Sequence, residues 1–329
     1  MRTALVGELR GRIPFDAYAW ILTDPETCVG SSPLAELPTL DAVSGTVRLK
    51  YLTSVNRWTA LGAGEAVSLK MATGGQLDRS RLWAEALVEH GVEDVVSTVF
   101  RDVHGCWAFL DLWRMTGAFA PREVQLLAEV SEAVTPALRR SLRSTFEPPC
   151  EPRRSQREGP SVVILDDALD IVSRTPQVDH DLRSLLPTDA GADPVPAAVL
   201  NVAAQLLAVE AGVDAHPARA RAFFGGGRWV TLAAARADDA GTRGGAVVVT
   251  IETTDPTERL RLYARVLGLT ARETEVLQGV AAGRDTRALS RDLHLSAHTV
   301  QDHLKSVFAK AGAGSRKVVV ARSTGIPPQ

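Results

Sequence analysis

At 329 residues the chain is too long for one ordinary core and fits two or three domains of roughly 100–150 residues each. Its 45% hydrophobic and 23% charged residues exclude a disordered or fibrous chain and describe a globular one. The net charge of −2 hides an asymmetry: residues 259–329 hold twelve Lys/Arg against five Asp/Glu, so this end carries +7 and residues 1–258 carry −9. Such a distribution suggests a polyanion-binding end on an acidic body, although a merely solvated basic surface would look the same.

In chain order, Ala19–Asp24 reads as a strand running into a turn. Helical stretches are expected around Asp41–Arg57 and Arg79–His90. Gly91–Phe100 and Cys106–Trp113 read as paired strands around Asp102-Val103-His104-Gly105. Pro121 opens a long helix whose inward stripe is Val124, Leu127, Ala128, Val134 and Leu138. This order of strands and helices resembles a GAF domain over residues 1–145, an α+β fold commonly used to sense small molecules. Residues 146–160, rich in proline and charge, read as a linker.

The next segment, 161–255, opens with a hairpin: strand Ser161–Leu165, turn Asp166–Asp170, strand Ile171–Arg174. A helix around Pro196–Ala211 follows, then strands at Gly227–Ala234 and Gly245–Glu252. Strands, helices and strands in this compass resemble a PAS domain.

The first segment concentrates Trp20, Trp58, Trp83, His104, Cys106, Trp107, Phe109 and Trp113. Trp20, His104, Trp107 and Phe109 are the candidate lining of a pocket for a small apolar or aromatic ligand, and ordinary core is the competing reading. His104 and Cys106 alone make no metal site. Cys28, Cys106 and Cys150 contain no CxxC pair, give no disulfide framework and fit a reducing compartment. No cofactor and no metal are expected.

Enzyme signatures are absent: there is no GxSxG, HExxH or kinase box, and Gly225-Gly226-Gly227 lacks the GK[ST] of a phosphate loop. Asp166-Asp167 after Val162–Leu165 lacks the crossover series of a phosphorylatable receiver. No apolar run approaches the roughly 18–20 residues of a membrane span, and no signal-peptide core follows Met1. The expected location is the cytoplasm, associated with the nucleoid.

The last segment is the most explicit. Thr270 and Glu273 form a capping box ahead of the apolar face Val276, Leu277, Val280 and Ala281, and Gly283 follows as a stop. A short helix capped by Asp285 or Thr286 buries Ala288, Leu289 and Leu293. The link His294-Leu295-Ser296 leads to a third helix, and a fourth starts near Ser315. On the third helix Val300, Leu304, Val307, Phe308 and Ala311 share one face. Opposite lie His298, Thr299, Asp302, Lys305, Ser306 and Ala309, a short polar face flanked by Gln301 and Lys310. Two helices joined by such a turn are a helix-turn-helix, whose second helix enters the DNA major groove.

Residues 262–326 resemble the DNA-binding domain of LuxR-type (NarL/FixJ-like) transcriptional regulators. Leu269, Thr270, Arg272, Glu273, Glu275, Val276, Leu277, Gly283, Leu289, Ser290, Leu293, Ser296, Thr299, Val300, His303, Lys310 and Arg316 carry the resemblance. It implies an all-α four-helix domain on duplex DNA. In it Gln301, Asp302 and Lys305 match base-contacting or groove-facing positions, and Thr299, His303, Lys310 and Arg316 those that support the helix or touch the backbone. His298, Val300 and Lys317 complete the candidate DNA-binding residues. It further implies a homodimer on a palindromic operator that engages the transcription machinery. Two residues depart from the family pattern: Gln301 where Lys is common, and Asp302 where a neutral residue is usual. The whole chain thus reads as a multidomain one-component regulator, with sensor folds under ligand control. The alternative is a regulator that acts constitutively or answers a partner protein.

Overall fold

The computed structural model describes residues 1–38, 43–147, 161–176, 178, 195–225, 227–237 and 245–326. The linker expected at 146–160 falls, beyond Glu147, outside the described residues, as do Cys150 and Gly226. The chain divides into two compact units. The first comprises Met1–Pro136, Gln156–Ala222 and Thr231–Glu252; the second comprises Ala137–Ser155, Phe223–Val230 and Thr253–Gln329.

In the first unit, helix α1 (Arg2–Arg10) precedes a sheet of β1 (Ala17–Thr23), β2 (Gly30–Glu36), β3 (Ala66–Ser68), β4 (Asp94–Asp102) and β5 (Gly105–Arg114). The strand order is β2-β1-β5-β4-β3, antiparallel throughout. The expected hairpin of β4 and β5 is present, with Val99 paired to Phe109 and Asp102 to Gly105. Both strands are buried along nearly their whole length, because both faces of the sheet are covered. Trp20 stacks on Phe100 at 4.9 Å on one face, and Phe109 stacks on Trp58 at 4.7 Å on the other.

Beside Trp58 lies a buried ion pair. Lys50, on α2 (Val43–Leu52), sits 2.9 Å from Asp111. Asp111 also accepts from Trp58 Nε1 at 2.7 Å and from the Ser97 hydroxyl at 2.5 Å. Charges can stay inside because every partner is satisfied. The short helix α3 (Leu69–Ala72) follows β3. The helix expected over Arg79–His90 is a π-helical turn (Trp83–Leu87) followed by a 3-10 turn (Val88–His90) that ends at left-handed Gly91.

A second sheet combines β6 (Ser161–Leu165), β7 (Ile171–Arg174), β8 (Arg219–Gly225), β9 (Arg228–Arg236) and β10 (Val247–Thr253), in the order β7-β6-β10-β9-β8. Counted along each sheet's own strands, both sheets run second, first, fifth, fourth, third. The expected hairpin 161–174 is β6 and β7. Helix α5 (Ala197–Glu210) is apolar almost all round, as a helix covered on every side must be, and it packs against α2 and β2. Gly30 is what permits this approach: a Cβ there would lie 2.7 Å from Asn201 Oδ1.

The long helix α4 (Pro121–Ser141) buries Val124, Leu127, Ala128 and Leu138 as the stripe predicts, with Val134 only half-buried. Its last turn belongs to the second unit, which continues through a 3-10 segment to the fully buried Phe146. Phe146 lies 5.0 Å from both Trp229 and Tyr263, and Arg259 stacks over its ring. Arg259 and Tyr263 belong to α6 (Pro256–Leu267), a helix that the sequence reading did not anticipate. Four further helices complete the unit: α7 (Ala271–Ala281), α8 (Thr286–Asp292), α9 (Ala297–Ala311) and α10 (Arg316–Thr324). Among the described residues no helix is long and apolar enough to cross a membrane.

Candidate DNA-binding surface

The caps fix where each helix begins. The Thr270 side chain accepts from Glu273 N while the Glu273 carboxylate accepts from Thr270 N, a complete capping box. Asp285, rather than Thr286, caps α8, and Ser296 caps α9. Between α8 and α9, His294 adopts left-handed backbone geometry (φ 53°). The turn is closed by Leu295 N donating to Ser290 O at 3.0 Å and by the Ser290 hydroxyl donating to Leu295 O.

The angle between the two helices is set by a core of Val276, Val280, Leu289, Val300 and Leu304, with Leu293, Leu295, Phe308 and Val320 at its edge. Burying such side chains contributes about 1.5–3 kcal/mol each. Val300 is wholly inside this core. The expectation that counts Val300 among the DNA-contacting residues is therefore corrected: its side chain faces the helices behind, because its position on the 3.6-residue repeat aligns with Leu304 and Val307.

The outer face of α9 behaves differently. The His298 and Lys305 side chains are 85% and 74% exposed, and both approach Asp302 at 3.4 Å. Gln301 is exposed and donates to the Thr286 hydroxyl at 3.3 Å, and Thr299 shares a 2.8 Å contact with the Ser296 hydroxyl. Asp302 therefore stands between two potential cations. Lys317 is exposed at the start of α10.

Lys310 and Arg316 serve the domain's own framework. Lys310 donates to Gly268 O at 3.2 Å and to Glu273 at 2.6 Å, and the Ser306 hydroxyl donates to the same carboxylate at 2.5 Å. Burial pushes the Glu273 carboxyl up, but Lys310, Ser306 and the Thr270 amide prevail and hold it down at about 2. Arg316 donates to Arg284 O at 3.1 Å, fastening α10 to the link between α7 and α8. Lys310 thus positions α9, and Arg316 positions α10.

Sequence reading missed the clamp at the far end of α9. Arg143 and Arg322 both donate to Ala311 O, and Arg322 also pairs with Glu147 at 2.9 Å. Two guanidinium groups at the helix C-terminus suit its negative dipole end. Arg143 and Ala311 lie 168 positions apart, which leaves no local signal of this contact.

The pocket candidates of the first unit fall otherwise. Trp20, Trp107 and Phe109 are all 0% exposed. Trp107 Nε1 donates to Asp102 at 2.9 Å, and the His104 amide donates to the same carboxylate at 2.8 Å. Phe109 lines a cavity of about 10 Å³ with Lys50, Tyr51, Trp58 and Asp214, room for about one water. Of the four candidates, Phe109 alone lines this cavity; Trp20, His104 and Trp107 do not.

Residues 267–323 match the family described as bacterial regulatory proteins, luxR family (GerE). They form a LuxR-family helix-turn-helix domain. A curated relative is the transcriptional regulatory protein YdfI of Bacillus subtilis (strain 168), 37% identical over 71 residues. That alignment takes in 21% of this chain, and the chain spans only about a third (33%) of the length of YdfI. Among solved structures, SdiA of Escherichia coli aligns with 98% of this chain and 89% of its own, at 12% identity and a TM-score of 0.32. VqmA of Vibrio cholera, solved with ligand and DNA, aligns with 52% of this chain and 86% of its own, at 16% identity and a TM-score of 0.20. Scores of this size do not establish a common overall fold.

Proposed function

We propose that this chain is a transcriptional regulator that binds duplex DNA sequence-specifically through α9, as a homodimer on a palindromic operator. The observation that carries the reading is the exposed polar face of α9, His298 through Lys305, on a helix fixed from behind by a buried core and at its end by two arginines. Lys305 and Lys317 neutralise phosphates, while Gln301 and Asp302 reach base edges, Asp302 as an acceptor for a cytosine amino group. The +7 charge of residues 259–329 supports the same end as the DNA-binding one.

Affinity of the full chain for its operator is expected to fall steeply with salt, and Lys305→Ala to reduce the log–log slope by about 1. Asp302→Ala is expected to change the ranking of DNA sites. Electrophoretic or fluorescence titrations over a salt series and a set of operators check both. Salt-independent binding would overturn the reading, and an unchanged ranking would remove Asp302 from base recognition.

We further propose that the first unit is the sensor part of a one-component regulator. The shared strand order of its two sheets supports the GAF-like reading of 1–145 and the PAS-like reading of 161–255. A small apolar or aromatic ligand remains one input. The dense packing of Trp20, Trp107 and Phe109 favours the second reading, control by a partner protein or by no effector. Thermal shift of the full chain against apolar and aromatic metabolites separates them. A ligand at about 100 times its Kd adds roughly 2.7 kcal/mol of stability. No shift across the panel would count against ligand control.

A further inference from the structure

The first unit holds a group of side chains that neither the DNA-binding face nor the sheet cores explain. Cys28 follows β1 in the turn Asp24–Cys28, where Cys28 N donates to Asp24 O at 2.9 Å and Cys28 itself sits at a left-handed φ of 59°. The turn is pinned by Asp24, which accepts from Glu26 N at 2.9 Å and from Arg221 Nε at 2.6 Å. This geometry aims the Cys28 sulfur at three partners. Arg101 Nη2 donates to it at 3.6 Å. Arg101 is itself paired with Cys106 in the β4–β5 register, and Cys106 N donates to Pro25 O of the same turn at 3.1 Å, so the second thiol lies beside the first. Cys106 and His216 are the groups that draw the Cys28 thiol down. His216 is in turn oriented by Asp214, with Nδ1 2.6 Å from the carboxylate, and Asp214 accepts from the Thr59 hydroxyl at 2.5 Å. The result is a nucleophile, an imidazole and an orienting carboxylate in series, with a second thiol against the first.

We propose that Cys28 is a hydroperoxide-reactive thiolate, with Cys106 as its resolving thiol and His216 as its proton donor. In the first step the Cys28 sulfur attacks one peroxide oxygen. The S–O bond forms, the O–O bond breaks, and the leaving hydroxide takes the proton of His216 to become water. In the second step the Cys106 sulfur attacks Cys28. The S–S bond forms, the S–O bond breaks, and the departing oxygen leaves as water with the Cys106 proton. Two thiols are oxidised to one disulfide, and the hydroperoxide supplies both oxidising equivalents.

The electrostatics agree with the geometry. The hydrogen bond from Cys106 acts first, and with His216 and Arg101 it draws the Cys28 thiol down to about 5 against the opposing effect of burial. Hydrogen bonding to Cys28, then to Asp214, raises His216 to about 9. Burial pushes Cys106 well above the ordinary thiol range, so it stays a proton-bearing donor. At neutral pH the pair is therefore thiolate and imidazolium, the form that reacts. Cys28 is 4% exposed and Cys106 1%, so both thiols are shielded from bulk solvent. Among the described residues no group of three or more His, Cys, Asp and Glu is arranged to hold a metal ion.

The test uses the full chain carrying Cys150→Ser, so that only Cys28 and Cys106 can oxidise. Stoichiometric hydrogen peroxide is followed by an acid quench, alkylation and peptide mass mapping. The expected product is a Cys28–Cys106 crosslinked peptide with the loss of two hydrogens. Adding Cys106→Ser should instead leave a sulfenic acid on Cys28 that dimedone captures. His216→Gln should slow the oxidation by up to roughly 30-fold at neutral pH, the limit in which the thiol returns all the way to its ordinary pKa of about 8.5. Because that variant can disturb folding, the rate of the Cys150→Ser chain is also measured against pH. A rate nearly flat between pH 8 and 6 supports the proposal, whereas a roughly ten-fold fall per unit is the behaviour of an ordinary thiol and overturns it. Both thiols remaining alkylatable, while free glutathione under the same conditions is consumed, also overturns it.

Discussion

Asp24→Ala is expected to destabilise the first unit by about 3–5 kcal/mol, a loss readable as a lower denaturant midpoint of the full chain. Asp24 is 1% exposed and Arg221 6%. Three bonds join them: Arg221 N, Nε and Nη2 donate to the Asp24 carboxylate at 2.8, 2.6 and 2.7 Å. Burial alone would raise the Asp24 carboxyl, but the bonds and charge of Arg221 prevail and hold it below its ordinary value. Removing the carboxylate leaves the guanidinium in a low-dielectric site, with Glu26 at 2.9 Å as its remaining acid partner. It also frees the Glu26 and Thr27 amides that close the turn. Replacing both members, as in Asp24→Leu with Arg221→Met, should cost much less than Asp24→Ala alone, because no stranded charge remains. A single-variant loss under about 1 kcal/mol would show that the pair is not coupled as described. The sign with pH follows: the folded pKa lies below the unfolded one. The contribution is thus complete above the unfolded value of about 3.9, and it is lost as pH falls through the lower folded value.

Leu289→Ala is expected to cost the LuxR-family domain about 2–5 kcal/mol and, with it, operator binding. Leu289 is 0% exposed at the centre of the Val276, Val280, Val300 and Leu304 core. It comes from the short helix α8 and supports α9 from behind. It also fills the space over Gly279, where an added Cβ would lie 2.3 Å from its Cδ2. The two residues are therefore complementary in volume. Leu289→Met should cost less than about 1.5 kcal/mol, since it keeps the volume, while Gly279→Ala alone should overpack by about 1–3 kcal/mol. Circular dichroism melts paired with operator titration check the series. Leu289→Ala that binds DNA with wild-type affinity at temperatures well below its melt would leave stability as its only effect. Unchanged melting would contradict the core assignment.

Much of the second unit was legible because its signals are local. Thr270 with Glu273, Asp285 and Ser296 each cap a helix within three residues of themselves, and the apolar spacing from Val300 to Ala311 names the buried face directly. Helix α6 was missed since its Tyr263 packs on Phe146, far away in the chain. Strand β2 was missed because Pro33 and two serines give it little strand signal; as an edge strand it tolerates the missing donor. Strand β8 reads as Arg-Ala-Arg-Ala, with arginine alternation that suggests solvent, yet Arg221 faces inward towards an aspartate 197 residues earlier.

By itself, then, the sequence determined the helix boundaries and caps of the C-terminal domain, its charge, its two-faced recognition helix and the hairpins 94–114 and 161–174. Those features depend on neighbours within a turn or two, where periodicity and side-chain chemistry suffice. Only the tertiary structure decided that Lys310 holds Glu273, that Trp20 stacks on Phe100 and Trp58 on Phe109, and that Cys28 lies beside Cys106 and Arg101. Each of these depends on which distant segment arrives to complete the contact, and the free energy of burying a charge or a thiol is fixed by that partner.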